Sequence, residues 1–546
     1  MLNLLHTFYN FSKFISKFNI INSQLDFDLN LFFKQNKNIG SKDRKFLTNI
    51  IYFYIRNQIY INFLSLKVNL KINQKYKELG IEYNLKTSKK LLEFTSFYIS
   101  IVLLEVENNF ISEIEAKYHF FDFKTNIAKL LNILIEKNIV TKDIISKDIE
   151  IANIEFNETI TETIFQIINN ELTEFNVTLN SIIESNFTNN KFEQNSLDNS
   201  LDILFEQISI KYSFPINIVK SIYNSINAET LNFTHLINTL ITLNQKANVY
   251  FRAVDNVKNI SIEFEKNQIQ FKNYILPNCF VIEDNSNKKL TDFETFKKGD
   301  FEIQDFSSQL TFEFVKGYII SNIKQNNNIN ILDTCAGGGG KSLLFADEIL
   351  NHFQNKNSNL NTNQHNFQIY SSDINSLRLD GLRLRLKKSK RKRNIFPEVI
   401  NQTNNSKFNQ FFDLAIIDAP CSGLGTNRRD VNIKYRISEN KINEFQNIQI
   451  NLINETKLFL KDDGIILYIT CSLNYEENIG VVKFILENSP KLKPINIFKF
   501  CDKSINELLE KTLKDNFSLN HNNNFLTIFP HYFNSDGFFV ALFQKV

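Results

Sequence analysis

Residues 306–546 predict an α/β fold built on a mostly parallel sheet with helices on both faces. Three observations point there. Apolar, strand-like runs alternate with helical runs along this stretch. A run of four glycines, in "DTCAGGGGKS" (Asp333 to Ser342), separates the first strand pattern from the first helical one. Two cysteines, Cys421 and Cys471, fall where two later strand patterns end.

The strand patterns are, in order, "INILDTC", "FQIYSSD", "PEVIN", "FDLAIIDA", "GIILYITCS", "NNFLTIFP" and "DGFFVALFQKV". Helical patterns lie between the earlier ones. The last two are joined only by "HYFNS", which predicts an antiparallel hairpin at the sheet's end. The polar stretch "NHFQNKNSNLNTNQHN" reads as a surface loop after the first helix.

Three segments precede this domain. Residues 1–150 read as all-helical; in "DRKFLTNIIYFYIRN", Phe46, Ile50, Phe53 and Tyr54 share a face. The start, "MLNLLHTFYNFSKFISKFNI", reads as an amphipathic first helix, since it lacks the basic region and cleavage site of a secretion signal. Residues 151–204 are a helical insertion or linker, including the Asn-rich "ESNFTNNKFEQNSLDNS". Residues 205–305 form a small α+β module, with a helix over "YSFPINIVKSIYNSI" and strands near "VYFRAVDN" and "ISIEFEKNQIQF", where apolar residues alternate.

Composition narrows the function classes. The 546-residue chain is 43% hydrophobic and 22% charged, with a net charge of +3, so any polyanion partner must be held by a local patch. Five cysteines, with no C-x-x-C pair, argue against a disulfide scaffold or a zinc site, and for a reducing compartment. The apolar run Ile50–Leu66 is broken by Arg56, Asn57 and Gln58, so no membrane span is expected. A cytoplasmic monomer without a metal is the expectation.

The glycine loop admits two readings. A triphosphate-binding loop needs G-x-x-x-x-G-K-[ST], and "FDLAIIDA" with Asp418 would supply its companion carboxylate strand. Counting back from Gly340, however, the first glycine is replaced by Cys335. The alternative is a nucleoside pocket at the strand's carboxyl end, where glycines let the backbone approach a ligand and an acid ending the next strand takes the ribose hydroxyls. Asp373, closing "FQIYSSD", stands at that position.

The cysteines separate the readings. A cysteine in a sheet is commonly a small apolar filler. Here two thiols follow two strands, each in a polar turn ("DAPCSG" and "TCS"), on the edge that carries the glycine loop.

With "FEIQDFSSQL", "LDTCAGGGGKS", "SSDINSLRLDGLRLRL", "FDLAIIDAPCSGLGTNRR", "LYITCSLNYEENIGVV" and "FPHYFNSDGFF", all in order over 299–546, the sequence resembles the Sun/Fmu (NOL/NOP-type) RNA cytosine carbon-5 methyltransferases. The resemblance implies a Rossmann-like class I methyltransferase domain that uses S-adenosyl-L-methionine. It implies cofactor contacts from Cys335, Ala336, Gly337, Gly338, Gly339, Gly340, Lys341, Asp373 and Asp418. It implies Cys471 as the attacking thiol, Cys421 as the thiol that helps release the enzyme, Asp418 at the cytosine's ring nitrogen 3, and Lys341 close by. The helical start is similar to the NusB-like RNA-binding domain of the ribosomal-RNA branch, which tips the expected substrate towards structured, small-subunit ribosomal RNA. A transfer-RNA enzyme of the same chemistry and a non-catalytic RNA-binding assembly factor are the alternatives.

The sequence departs from the family in three places. Gly337-Gly338 replaces an Ala-Pro pair. The adenine-contacting acid is absent, with Asn401 or Gln402 in its place. "RRDVNIKYR" lacks the family's proline and tryptophan. Finally, "RLRLKKSKRKR" (Arg383 to Arg393) carries eight Lys or Arg and is expected to contact RNA phosphates.

Overall fold

The computed structural model describes residues 4–67, 96, 100, 197–228, 233–254, 257–283, 289–325, 328–354, 366–388, 393–400, 406–514 and 524–546. Most of the 151–204 linker, Lys390 to Lys392 of the basic run, and both Asn401 and Gln402 lie outside these residues. Two compact units result. One comprises Met1–Val219 with Asp430–Arg436; the other comprises Lys220–Arg429 with Ile437–Val546.

The first unit is helical where it is described. Helices span Leu4–Ile15, Leu25–Gln35 and Ser41–Arg56. On the third, Ile50, Phe53 and Tyr54 of the expected face are buried, while Phe46 is only partly so. Leu47, Ile51 and Ile55 are buried as well, so the stripe is wider than the face read off the sequence. Phe11 meets Tyr54, and Phe14 meets Phe32, edge to face with centroids 5.4 Å apart. The segment Asp430–Arg436 packs in this unit through buried polar groups. Lys434 Nζ donates to the Arg56 carbonyl at 2.6 Å and lies 4.1 Å from the Phe214 ring centre. Burial pushes that amine well below the usual lysine range.

The second unit opens with a four-stranded antiparallel sheet: β1 (Tyr250–Ala253), β2 (Phe271–Tyr274), β3 (Leu276–Ile282) and β4 (Phe301–Ile303), in the order β2-β3-β1-β4. Its core gathers around Phe251, which meets Phe264, Phe271, Phe280 and Phe301. The "ISIEFEKNQIQF" stretch is mostly helix rather than strand, spanning Val257–Lys266. Ile260 and Phe264 are its buried residues, and their spacing of four is helical. The alternation in this stretch is also compatible with one helical face.

The larger sheet has eight strands: β5 (Ile329–Asp333), β6 (Phe367–Ser371), β7 (Ile395–Pro397), β8 (Phe412–Asp418), β9 (Leu460–Thr470), β10 (Leu492–Ile495), β11 (Phe525–Ile528) and β12 (Phe538–Lys545). Its order is β10-β12-β9-β8-β5-β6-β7, with β11 also on β12. Strands β5 to β9 are parallel, as expected of a Rossmann-like sheet. Alternate residues feed two cores. Ile331, Ile416, Leu467, Ile469 and Val540 face one; Leu332, Ala415, Ile417, Tyr468 and Phe539 face the other. A sheet covered on both faces produces such unbroken apolar runs.

Three expectations need correction. The strand near "PEVIN" lies earlier, at Ile395–Pro397, because Ile395 rather than Val399 is buried. The final hairpin is antiparallel as expected, but β12 is interior, between β9 on one side and β10 and β11 end to end on the other. The "HYFNS" connection contains a one-turn helix, Pro530–Phe533. Among the described residues no helix is long and apolar enough to cross a membrane.

His531, in that short helix, lies 3.1 Å from the His235 ring nitrogen. Burial, with the neighbouring His235, depresses its pKa to about 3. The folded state thus keeps His531 neutral where the unfolded chain, below pH ~6.5, takes up a proton. Stability from this group is present above that pH and lost as pH falls toward 3, by at most about 1.4 kcal/mol per pH unit. His531→Asn is expected to flatten the fall in unfolding free energy between pH 6.5 and 5; urea titrations at both pH values check this.

Candidate active site

Register assembles the site. Asp333 pairs with Ser371 of β6 and Ile416 of β8, and Asp418 of β8 pairs with Ile469 of β9. The carboxyl ends of β5, β6, β8 and β9 therefore form one edge. The glycine loop, Asp373, Asp418, Cys421 and Cys471 all follow from that edge.

The glycine loop folds back on the end of β6. Ala336 N donates to the Ser372 carbonyl at 2.9 Å, and Gly337 N to Asp373 Oδ2 at 3.1 Å. Gly337 and Gly339 have φ of +52° and +80°, the left-handed region in which glycine is at ease. A Cβ at Gly337 or Gly340 would meet nothing within 4 Å, whereas one at Gly339 would meet Leu382 Cδ1 at 2.4 Å. The loop thus has one tightly packed glycine and others open to the edge, a cradle into which the backbone of Gly337 and Gly338 can admit a ligand. Asp373 is 4% exposed and accepts from Gly337 N and Asn375 N. Arg385 steadies the loop, donating to the Gly338 carbonyl at 2.6 Å and pairing with Glu302 at 2.7 Å. Burial raises the Cys335 thiol to about 12, so it stands protonated behind the loop.

Lys341, in the first turn of helix Gly340–Gln354, is buried. Its Nζ donates to Asp418 Oδ2 at 3.0 Å and Ser308 Oγ at 2.8 Å, and lies 5.2 Å from the Phe538 ring centre. Its charge is thus spent on Asp418 rather than on either thiol. No phosphate-cradling role is left for it, which disfavours the triphosphate reading. Asp418 is about one third exposed.

Cys421 Sγ and Cys471 Sγ are 3.3 Å apart. The hydrogen bond between the sulfurs, followed by burial, holds the Cys421 thiol well above the usual range. The two turns that carry them meet at glycines. Gly425 N donates to the Cys471 carbonyl at 2.8 Å, and Gly537 N to the Gly425 carbonyl at 2.9 Å. A Cβ at Gly425 would stand 2.1 Å from the Gly537 carbonyl oxygen.

Ser308, Phe538 and Glu477 were not singled out by sequence reasoning. All three lie in stretches that carry the family resemblance, Ser308 in "FEIQDFSSQL", Glu477 in "LYITCSLNYEENIGVV" and Phe538 in "FPHYFNSDGFF", but none of these residues was itself given a role. Arg429 ties two of these stretches together, bonding both Asp305 and Asp536 at 2.7 Å. The basic run fares differently from expectation. Arg383 pairs with Asp380, Arg385 with Glu302, and Arg393 with Asp347 in a nearly fully buried ion pair at 2.7 Å. Arg393 is therefore not free for phosphates, whereas Arg383 and Arg385 keep part of their surface and Lys387 is exposed.

Comparison with known proteins follows the same edge. Residues 320–544 match the family "16S rRNA methyltransferase RsmB/F". Over 250 residues the chain is 27% identical to the probable ribosomal RNA small subunit methyltransferase B of Bacillus subtilis, covering 46% of this chain and 49% of that one. It is 37% identical over 134 residues to ribosomal RNA small subunit methyltransferase F of Psychromonas ingrahamii, covering 24% and 26%. The matched region thus spans about half of one relative and a quarter of the other. The crystal structure of PH0851 shares the fold over 95% of this chain and 94% of its own, with a TM-score of 0.54 at 17% identity.

Gly425→Ala is expected to push Gly537 and the Cys471 turn apart. The expected cost is about 1–3 kcal/mol of stability, the range for overpacking a closed contact. Chemical denaturation measures it, and an unchanged midpoint would show that the turns are not held by this contact.

Proposed function

Through residues 320–544 the chain belongs to the RsmB/F (Sun/Fmu) methyltransferase family, and from that premise we propose that it transfers a methyl group from S-adenosylmethionine to carbon 5 of a cytosine in RNA. The names of its relatives favour small-subunit ribosomal RNA. The observation that carries the reading is the 3.3 Å pair of thiols on the edge that also bears the glycine loop and the Lys341–Asp418 pair.

The cradle fits the cofactor. Gly337 and Gly338 would hold it against their backbone, and Asp373, just past the end of β6, would accept from its ribose hydroxyls. When bound, S-adenosylmethionine supplies an electrophilic methyl group. Carbon 5 of cytosine is a weak nucleophile, so the protein raises its electron density. The Cys471 sulfur bonds to carbon 6, and the displaced electron pair moves toward carbon 5. As the electron pair moves into the ring, a proton passes from Lys341 through Asp418 to ring nitrogen 3 and neutralises the charge developing there. Once carbon 5 carries the methyl group, its proton must leave. The proton passes to a base beside Cys421, with water as the simplest acceptor; the electron pair of the broken C–H bond restores the ring double bond and expels Cys471. The base must be unstacked to reach these sulfurs.

The two thiols are expected to fail in opposite directions. Cys471→Ala neither methylates nor forms a covalent RNA complex. Cys421→Ala attacks, then stalls, and accumulates a protein–RNA band on a denaturing gel with RNA and cofactor present. A band with Cys471→Ala and none with Cys421→Ala would reverse the roles, and near-normal methylation by both variants would remove the covalent mechanism. Asp373→Ala is expected to weaken S-adenosylmethionine binding by about 1–3 kcal/mol, the value of charged hydrogen bonds; calorimetry reads it, and unchanged affinity would remove Asp373 from the pocket. Bisulfite sequencing of ribosomal and transfer RNA from a deletion strain identifies the target.

A further inference from the structure

Behind the two thiols lies a carboxylate to which sequence reasoning gave no role. Glu477 is fully buried. Its Oε1 accepts from Ser422 N at 2.7 Å and from Gln449 Nε2 at 3.3 Å. Its Oε2 accepts from Ser472 Oγ at 2.6 Å and from Asn474 Nδ2 at 2.8 Å. Ser422 follows Cys421, and Ser472 follows Cys471. One carboxylate therefore holds the residue after each thiol. Further bonds close the same knot: Ser422 Oγ meets Ser472 Oγ at 3.1 Å and Asn474 Nδ2 at 2.9 Å, while Gln449 Nε2 also donates to the Pro420 carbonyl at 2.9 Å.

Every partner of the two oxygens is a donor, so the group works as an acceptor-only carboxylate. A glutamine there would aim an amide NH2 at donors on one side and leave two of them unpaired. We infer that Glu477 is a positioning residue, the clamp that holds the Cys421 turn and the Cys471 turn at the separation the two-thiol reaction needs. The importance of that separation rests on the proposed function; the clamp itself rests on geometry alone. The negative charge also lies close enough to Cys421 to help keep that thiol protonated.

The test reads thiol geometry and catalysis separately. Diamide takes two electrons and two protons from a close thiol pair, forming a disulfide as it becomes the hydrazine derivative. Peptide mapping isolates the Cys421–Cys471 link from Cys279, Cys335 and Cys501. Wild-type protein is expected to form the link rapidly, and Glu477→Gln about tenfold more slowly, because proximity sets the rate. Methyl transfer is expected to lose about 100-fold in kcat, the scale of a misplaced reacting group, with KM for S-adenosylmethionine unchanged. Tyr468→Phe is the control: it removes the buried bond from Tyr468 Oη to the Glu477 carbonyl at 2.7 Å and leaves every hydrogen bond of the Glu477 carboxylate in place. It is expected to lower stability while keeping the cross-linking rate and kcat. Should Glu477→Gln not fold, Ser472→Ala, which removes one donor, is expected to slow both reactions to a smaller degree. Cross-linking and kcat at wild-type values in folded Glu477→Gln, or in Ser472→Ala where the first does not fold, overturn the inference, as does a Tyr468→Phe variant that slows both equally. A slowed cross-link in Glu477→Gln, with wild-type protein inactive on RNA, would uphold the clamp and reject the proposed function.

Discussion

The site depends on the parallel register of β5, β8 and β9. Asp333 stands beside Ile416, and Asp418 beside Ile469. A slip of one residue in β8 would send Ile416 to the core that holds Ile417 and reverse every side chain of the strand. Both cores are filled with large apolar groups, so such a slip is prohibitively unfavourable. Packing that knows nothing of the chemistry thus fixes where each strand ends. The thiols follow at short reach: Cys421 is three residues past Asp418, and Cys471 is the first past the end of β9.

Beyond the strand ends the apolar lock is gone, and buried polar groups take over. Arg429 bridges Asp305 and Asp536, Lys341 bridges Ser308 and Asp418, and Glu477 bridges the thiol turns. Buried ion pairs add little net stability, since desolvation offsets most of their attraction. What they add is direction, because each donor accepts only a narrow range of partner positions. Asp536 shows the balance: burial and the nearby Asp305 lift its pKa to about 7 even against Arg429. Ser221 and Ser225 extend the scheme, reaching the Cys471 loop through Glu476 and the Leu473 carbonyl at 2.6 and 3.0 Å.

What was legible in the sequence follows the same division. Strands β5, β6, β8, β9 and β12 announced themselves because two-sided burial leaves unbroken apolar runs. The glycine loop and the cysteines were legible because their residue types are unusual at strand ends. Strand β10 was not seen: "LKPI" is four residues with an internal proline, tolerable only because it runs along an edge. Glu477 and Ser308 were invisible for a different reason. A polar residue in a polar loop carries no mark of whether it will be solvated or buried, and only the folding together of distant turns decides it. One residue of the basic run misled in the same way, since charge patterning does not reveal that Arg393 finds Asp347 in the interior.

The closeness of the two sulfurs restricts the order of events in the proposed reaction. At 3.3 Å a thiolate on Cys471 raises the cost of a thiolate on Cys421. The protein thus holds Cys421 as the thiol. In the proposed reaction Cys471 attacks carbon 6 while Cys421 keeps its proton. As the bond forms, charge leaves the sulfur for the ring, and the electrostatic objection to ionising Cys421 falls away. Cys421 becomes able to take part in proton removal only after Cys471 has been consumed. In the proposed reaction the division of labour between two chemically identical groups thus follows from their separation and from the sulfur–sulfur hydrogen bond, the burial and the Glu477 charge that keep Cys421 protonated.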